Sequence, residues 1–123
     1  MFRELTGVST FDPAEAEQFG DDPLFVRAAA RAVAIMSVFE MTAKPLTLSE
    51  IAELSGMDRS ATQRMVHTLQ ALGMIMRDDE DRGYLPGKRV LTMACSSLRL
   101  NPILQKATPV LLELRRRTRE RVD

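Results

Sequence analysis

The chain is poor in the residues from which active sites and cross-linked folds are built. Its 123 residues include one cysteine, one tyrosine, one histidine and no tryptophan. Because Cys95 is alone, an internal disulfide is excluded, and we expect a reducing compartment, the cytoplasm. The sequence contains no apolar run long enough to cross a bilayer and no signal peptide, so no membrane partner is expected.

Patterns that indicate catalysis or metal binding are lacking as well. We find no nucleophile beside a base, no paired carboxylates and no glycine-rich phosphate loop, so we expect that the chain is not an enzyme. His67 has no cysteine or carboxylate at ligand spacing, and a metal site there is not expected. The sequence therefore predicts neither a metal nor another cofactor.

The formal net charge of the chain is zero, but its charges are unevenly distributed along the sequence. Residues 1–25 hold one basic and six acidic residues, a net charge of −5, whereas residues 26–123 hold 16 basic and 11 acidic residues, a net charge of +5. A basic body suits a polyanion such as DNA. Five of these basic residues lie together within residues 115–121, where a solvated face is the simpler explanation.

Residues 47–66 have the spacing of a helix-turn-helix. Thr47 and Glu50 form the pattern of a capping box at the start of a short helix, and Gly56 suits the turn that ends it. Asp58 is suited to cap a second helix. The apolar positions of that helix are Ala61 or Thr62, Met65, Val66, Leu69 and Leu72, and the opposite face carries Arg59, Ser60, Gln63, Arg64 and His67.

A long helix is predicted before this motif, from Pro23 at a first helical position to about Met41. Its apolar face is broader than one small domain needs, which favours a homodimer. The residues expected at the dimer interface are Phe25, Val33 and Met36 in this helix and Leu91 and Leu98 in a later one.

A strand, a turn and a second strand are predicted after Gly73, over residues 74–77, 78–83 and from Tyr84. After a helix-turn-helix, such a hairpin is the wing of a winged helix. Four consecutive acidic residues occupy its tip, and phosphates would repel them, so we expect only Arg77 or Arg82 to reach a DNA backbone. A hairpin that merely closes the core explains the segment equally well.

The predicted fold is mainly α: a winged helix-turn-helix with a three-helix core and a two-stranded wing, followed by linker helices. Its predicted parts are an acidic flexible arm (residues 1–22), the winged helix (23–86), a linker helix (87–101) and an extension (102–123). In the extension, Asn101-Pro102 and Thr108-Pro109 each predict the start of a helical piece. We expect the last piece to pack against another protein layer rather than a membrane or nucleic acid.

Residues 25 to about 121 resemble the N-terminal part of the IclR-type bacterial transcriptional regulators. The matching segments are Arg31 to Ile35, Leu48 to Ala52, Ser55-Gly56, Arg64 with Leu69, Leu72-Gly73, Gly83-Tyr84 and Arg89 to Leu91. The resemblance implies a dimeric winged-helix DNA-binding domain, a linker helix and a larger C-terminal domain that binds a small-molecule effector. It also implies the repression or activation of a catabolic operon.

The sequence departs from the family pattern at Ala28, where a polar residue is usual, and at Pro86, where an aliphatic one is. The chain reaches Asp123 at about the point where the effector domain of this family would start. We therefore expect an effector to act only through a domain that these residues lack. A fragment of a longer regulator and a naturally short relative both remain open.

We predict that two copies of the second helix of the motif enter successive major grooves of a pseudo-palindromic operator in double-stranded DNA. The residues predicted to contact bases are Arg59, Ser60, Gln63 and Arg64. Those predicted to contact phosphates are Thr47, Ser49, Arg77, Arg82, Lys88 and Arg89. The alternative is a winged helix that docks on a protein and has no specific DNA site.

Overall fold

The computed structural model describes residues 17–80, 82–100, 112–113 and 115–117. Its helices are α1 (Arg27–Ser37, followed by a 3-10 turn over Val38–Met41), α2 (Leu48–Ser55), α3 (Arg59–Ala71) and α4 (Lys88–Leu100). Between α3 and α4 lie the strands β1 (Ile75–Asp78) and β2 (Gly83–Pro86). This order confirms the predicted winged helix-turn-helix.

The chain divides between Lys88 and Arg89 into two compact units. The first contains α1 to α3 and the wing. The second contains α4 from Arg89 onward, in which no residue is fully buried, and the helical residues of 112–117. The helical pieces predicted to start at residues 101 and 108 begin outside the described residues.

The first helix is shorter than the sequence predicts. The prediction of a helix from Pro23 is wrong, because Pro23 lies in a turn. The Asp22 carboxylate accepts a hydrogen bond from the backbone N–H of Leu24 at 2.9 Å, a local bond that competes with helix formation. The ring of Phe25 then stacks on Phe19 with 5.2 Å between centroids. Helical geometry begins only after Val26, whose backbone is extended.

Both helices of the motif begin as predicted, and α2 also ends as predicted. The Thr47 hydroxyl accepts from the Glu50 backbone N–H, and the Glu50 carboxylate accepts from the Thr47 backbone N–H, each at 3.2 Å, which completes the capping box. Gly56 ends α2 with a φ of 73°, a conformation that a side chain disfavours. The Asp58 carboxylate caps α3 by accepting from the Ala61 backbone N–H at 2.7 Å.

The core of the first unit lies where the three helices meet β1. Its buried apolar residues are Ile35, Val38, Leu46, Ile51, Val66, Leu69 and Ile75. Thr62 is fully buried on α3, and its hydroxyl donates to the Asp58 carbonyl at 2.8 Å, so its polar group is satisfied. Leu72, predicted in the buried stripe, is 57% exposed because α3 has ended at Ala71.

The wing is joined to the segment that precedes α2. Strands β1 and β2 are antiparallel, with Ile75 opposite Pro86 and Asp78 opposite Gly83. Leu46 extends this pairing, since its N–H donates to the Tyr84 carbonyl at 3.0 Å and its carbonyl accepts from the Tyr84 N–H at 2.7 Å. The wing therefore has a defined position relative to the helix-turn-helix.

Candidate nucleic-acid interface

The face of α3 that points away from the core carries a row of exposed residues spaced by about one helical turn. Consecutive residues of an α-helix are rotated by about 100°, so a spacing of three or four residues keeps positions on one side. The buried positions of α3 are Thr62, Val66 and Leu69. The row on the opposite side, here called the outward stripe, consists of Ser60, Arg64, His67 and Ala71, all exposed.

Two of the four predicted base contacts lie on this stripe and two lie beside it. Ser60 and Arg64 belong to the outward stripe. Arg59 and Gln63 are exposed too, but the helical rotation places them roughly a quarter of a turn away, toward one flank of α3. If the outward stripe lay in a DNA groove, Arg59 and Gln63 would approach the bases from the side.

Arg64 on α3 and Arg31 on α1 both line one depression of about 240 Å³ between the two helices. The remaining residues that line it are Ala28, Met57, Ala61, Met65 and Thr68, and none of these described residues is acidic. Two arginines with no acidic residue among the other lining residues suit a phosphate. The sequence prediction missed Arg31, although its position one turn before the buried Ile35 indicated that it borders the core.

A larger cleft of about 570 Å³ lies on the other side of Arg31, between α1 and the turn that follows α2. Arg27 and Arg31 line it together with the acidic Glu17 and Asp58. The two acidic groups offset the charge of the two basic ones. An anion would therefore bind this cleft less favourably than the smaller depression.

The two predicted phosphate contacts at the start of α2 are unequal. The Thr47 hydroxyl is already engaged in the capping box and donates to the Glu50 carboxylate at 3.0 Å. The hydrogen bonds from the Thr47 backbone and side chain lower the pKa of Glu50, and the nearby charge of Lys44 adds to the effect. A charged carboxylate thus occupies this helix start. Ser49 is exposed, and no described residue bonds to its hydroxyl.

The wing presents one ordered arginine and an acidic tip. The guanidinium of Arg77 lies over the ring of Tyr84, 5.7 Å from its centroid. Arg82 is exposed at the tip with a φ of 55°. Asp79 and Glu80 are exposed beside it, whereas Asp81 lies outside the described residues. Arg77 is therefore the better placed of the two predicted wing contacts. Lys88 and Arg89 are exposed at the start of α4.

Among the predicted dimer residues, Val33 is 49% exposed on α1 and Val26, which was not predicted, is 63% exposed. Met36 instead packs against the core, and Phe25 is half-buried against Phe19. Leu91 and Leu98 are half-buried in the second unit. Exposed apolar surface therefore remains at Val33 on α1 and at Val26, directly before this helix.

The described residues contain no group of three histidine, cysteine, aspartate or glutamate side chains that could hold a metal. Within the same part of the chain, no helix has the length and apolar character that crossing a membrane requires.

Comparisons with known proteins agree with this geometry. Residues 28–79 match the IclR helix-turn-helix domain. The chain is 33% identical over 100 residues to the Pca regulon regulatory protein of Pseudomonas putida, an overlap of 80% of this chain and 34% of that protein. It is 30% identical over 93 residues to the HTH-type transcriptional regulator XynR of Escherichia coli K12, covering 76% and 37%. The chain thus spans about a third of the length of these relatives.

The fold also matches a solved structure, the crystal structure of an IclR family transcriptional regulator from Brucella abortus. The TM-score is 0.63 at 30% identity, over 80% of this chain and 37% of that one. The relatives are described as regulators, in agreement with the expectation that the chain is not an enzyme. Sequence and fold lead to one conclusion: residues 28–79 form a helix-turn-helix domain of the IclR family of transcriptional regulators.

Proposed function

We propose that the chain is a DNA-binding transcriptional regulator that recognises a pseudo-palindromic operator as a dimer. The observation that carries this proposal is the outward stripe of α3. It displays Arg64 and other polar side chains opposite the core, on a helix whose start is fixed by the cap at Asp58. An exposed polar helix face of this kind fits the major groove of B-DNA.

The contacts divide into base-reading and phosphate-binding groups. Ser60 and Arg64 face the groove directly, and Arg59 and Gln63 reach the bases from the flank. The proposed phosphate contacts are Ser49, Arg77, Arg82, Lys88 and Arg89, with Thr47 in a lesser role and with Arg31 added by the depression it shares with Arg64. Phosphate contacts set position and affinity, whereas base contacts set sequence preference.

A homodimer completes the proposal. Val33 on α1 and Val26, directly before this helix, leave an apolar surface exposed, whereas the other side of α1 is covered by the core. A second copy of the chain, related by a two-fold axis, would cover this surface and double the recognition element. A catabolic operon, a cytoplasmic location and an effector bound by a further domain follow from the family resemblance and belong to the same proposal.

Selection from a random duplex DNA library at physiological salt tests the function directly. We expect enrichment of a pseudo-palindrome whose half-sites lie about one or two helical turns apart. In separate titrations, Arg59→Ala should relax the preference at one base pair, whereas Lys88→Ala should weaken all sequences about equally and lower the salt dependence. Retention of no particular sequence would contradict the proposal.

One observation favours a different function. The exposed acidic residues Asp79 and Glu80 stand at the wing tip, where a phosphate backbone would repel them. They suit a basic protein surface, which would make the chain a protein-docking module. Charge reversal separates the two functions: replacing Asp79 and Glu80 by lysine should strengthen binding to DNA by removing the repulsion from phosphates, but should weaken docking on a basic protein surface.

A further inference from the structure

His67 lies at the middle of the outward stripe of α3. It follows Arg64 by three residues and precedes Ala71 by four, so one helical turn separates it from each neighbour. It is exposed, and the buried Val66 beside it holds this part of α3 against the core. Any surface that covers the stripe therefore covers the imidazole.

The neighbours of His67 leave it room to make a contact. Ser60 and Ala71, the two ends of the stripe, have short side chains, so among the four residues of the stripe Arg64 and His67 project farthest from the helix. No described residue forms a hydrogen bond or ion pair with the imidazole. Its two ring nitrogens are thus available to a partner outside the chain.

The chemistry of the ring selects among the groups that a major groove displays. A neutral imidazole has one N–H donor and one acceptor nitrogen. The major-groove edge of guanine presents two acceptors, N7 and O6, and no donor. The ring N–H therefore meets an acceptor at either position. We propose that His67 donates a hydrogen bond to N7 of a guanine in each half-site and thereby determines specificity there.

This inference rests on the proposed DNA-binding function. It adds a base contact that lies farther toward the C-terminus of α3 than the contacts already proposed. His67 follows Ser60 by seven residues, which is about 10 Å along the helix axis. Successive base pairs are about 3.4 Å apart. His67 therefore addresses a different base pair from Ser60, and the two preferences are separable.

The test is a library selection with the whole chain and two variants. The wild-type chain should enrich a guanine at one position of each half-site. His67→Ala should lose that preference alone, with about a tenfold loss of affinity for the selected site, the effect of one base contact. His67→Gln should move the preference at the same position toward adenine, whose N6 and N7 match an amide. A residue with only a structural role would not change one base preference for another.

A modified operator identifies the atom. Replacement of that guanine by 7-deazaguanine removes N7, and we expect a loss for the wild-type chain but no additional loss for His67→Ala, because the two changes remove the same bond. Glu53→Ala, an exposed change on α2, serves as the matched control and should select the wild-type site. Alanine suits an exposed helix position, so folding is preserved, as circular dichroism can verify.

The outcomes separate the two claims. A wild-type pseudo-palindrome that both His67 variants select unchanged, or a 7-deazaguanine effect that persists in His67→Ala, overturns the histidine contact and leaves the DNA-binding function in place. Failure of the wild-type chain to enrich any sequence overturns both.

Discussion

Arg77 and Tyr84 face each other across the wing. They are partners in the register of β1 and β2, and the Arg77 guanidinium lies 5.7 Å from the centroid of the Tyr84 ring. Tyr84 is itself fixed by packing against the core and by two backbone hydrogen bonds to Leu46. The ring therefore orients a cation one residue pair away from the Asp78–Gly83 pair that borders the tip of the wing, through an attraction of the cation–π type.

If Arg77 contacts a phosphate, Arg77→Ala should weaken binding to every DNA sequence by a similar factor and lower the slope of log affinity against log salt by about one. Titrations at several salt concentrations measure both quantities. Tyr84→Phe keeps the ring face and should bind as the wild type does. A change in the preferred base at any position after Arg77→Ala would show that Arg77 reads bases instead.

The capping box makes the stability of α2 depend on pH. Folding lowers the pKa of Glu50 from its ordinary value of 4.5, chiefly through the hydrogen bond from the Thr47 backbone. A lowered carboxyl pKa stabilises the folded state above the ordinary value, and this contribution is lost as the pH falls through the folded value. Thermal unfolding should therefore show Glu50→Gln less stable than wild type at pH 7, with the difference shrinking below about pH 4.5. A constant difference across this range would exclude the charge as its cause.

Thr47 provides the other half of the same cap. Thr47→Ala should lower the free energy of unfolding by about 1 kcal/mol, since a donor at the start of α2 loses its acceptor. Urea denaturation measures the loss, and Thr47→Ser, which keeps the hydroxyl, should recover most of it. Equal stability of the alanine and serine variants would mean that water replaces the cap without cost.

A substitution at Gly56 measures the free-energy cost of the backbone conformation at the turn of the motif, separately from any steric clash. Its φ is 73°, and a Cβ added there would meet no atom within 4 Å, so crowding plays no part. Gly56→Ala should destabilise the fold by roughly 1 kcal/mol, and Gly56→Asn by less, because asparagine adopts the left-handed region more readily. Thermal unfolding of the three proteins checks this order, and the reverse order would refute the strain explanation.

The proposed dimer predicts that a charged residue placed in its interface lowers the molecular mass measured in solution. Val33→Glu puts a charge on the exposed apolar surface of α1, so analytical ultracentrifugation should show a shift toward monomer with little change in monomer stability. Leu54→Glu is the matched control, since Leu54 is 41% exposed on α2, outside the predicted interface. Unchanged dimer content in Val33→Glu, or equal dissociation in both variants, would locate the interface elsewhere.

Local signals in the sequence were sufficient to predict the helix-turn-helix. The caps at Thr47 and Asp58 each join residues three positions apart, and Gly56 acts through its own backbone. Interactions of such short range depend little on the rest of the fold. The phase of the apolar residues likewise indicated which side of α3 is buried, although Leu72 was assigned to that side beyond the actual end of the helix.

The start of α1 could not be predicted from the periodicity of apolar residues alone. An apolar pattern continues through Pro23 to Phe25, but the stacking of Phe25 on Phe19 and the turn at Asp22 hold this segment outside the helix. Similarly, the broad apolar face of the predicted first helix led us to expect Met36 at a dimer interface, whereas in the structure Met36 is partly buried against the core.

By itself, the sequence determined α2, the start of α3, the hairpin and the basic character of the exposed face, because these depend on neighbours within one or two turns. Only the tertiary structure decided that Arg31 shares a depression with Arg64, that Leu46 pairs with Tyr84, and that the outward stripe centres on Arg64 and His67 rather than on Arg59. The reason is physical: each of these relations is set by how α1, α3 and the wing pack around one core, and such packing joins residues that are far apart in the chain.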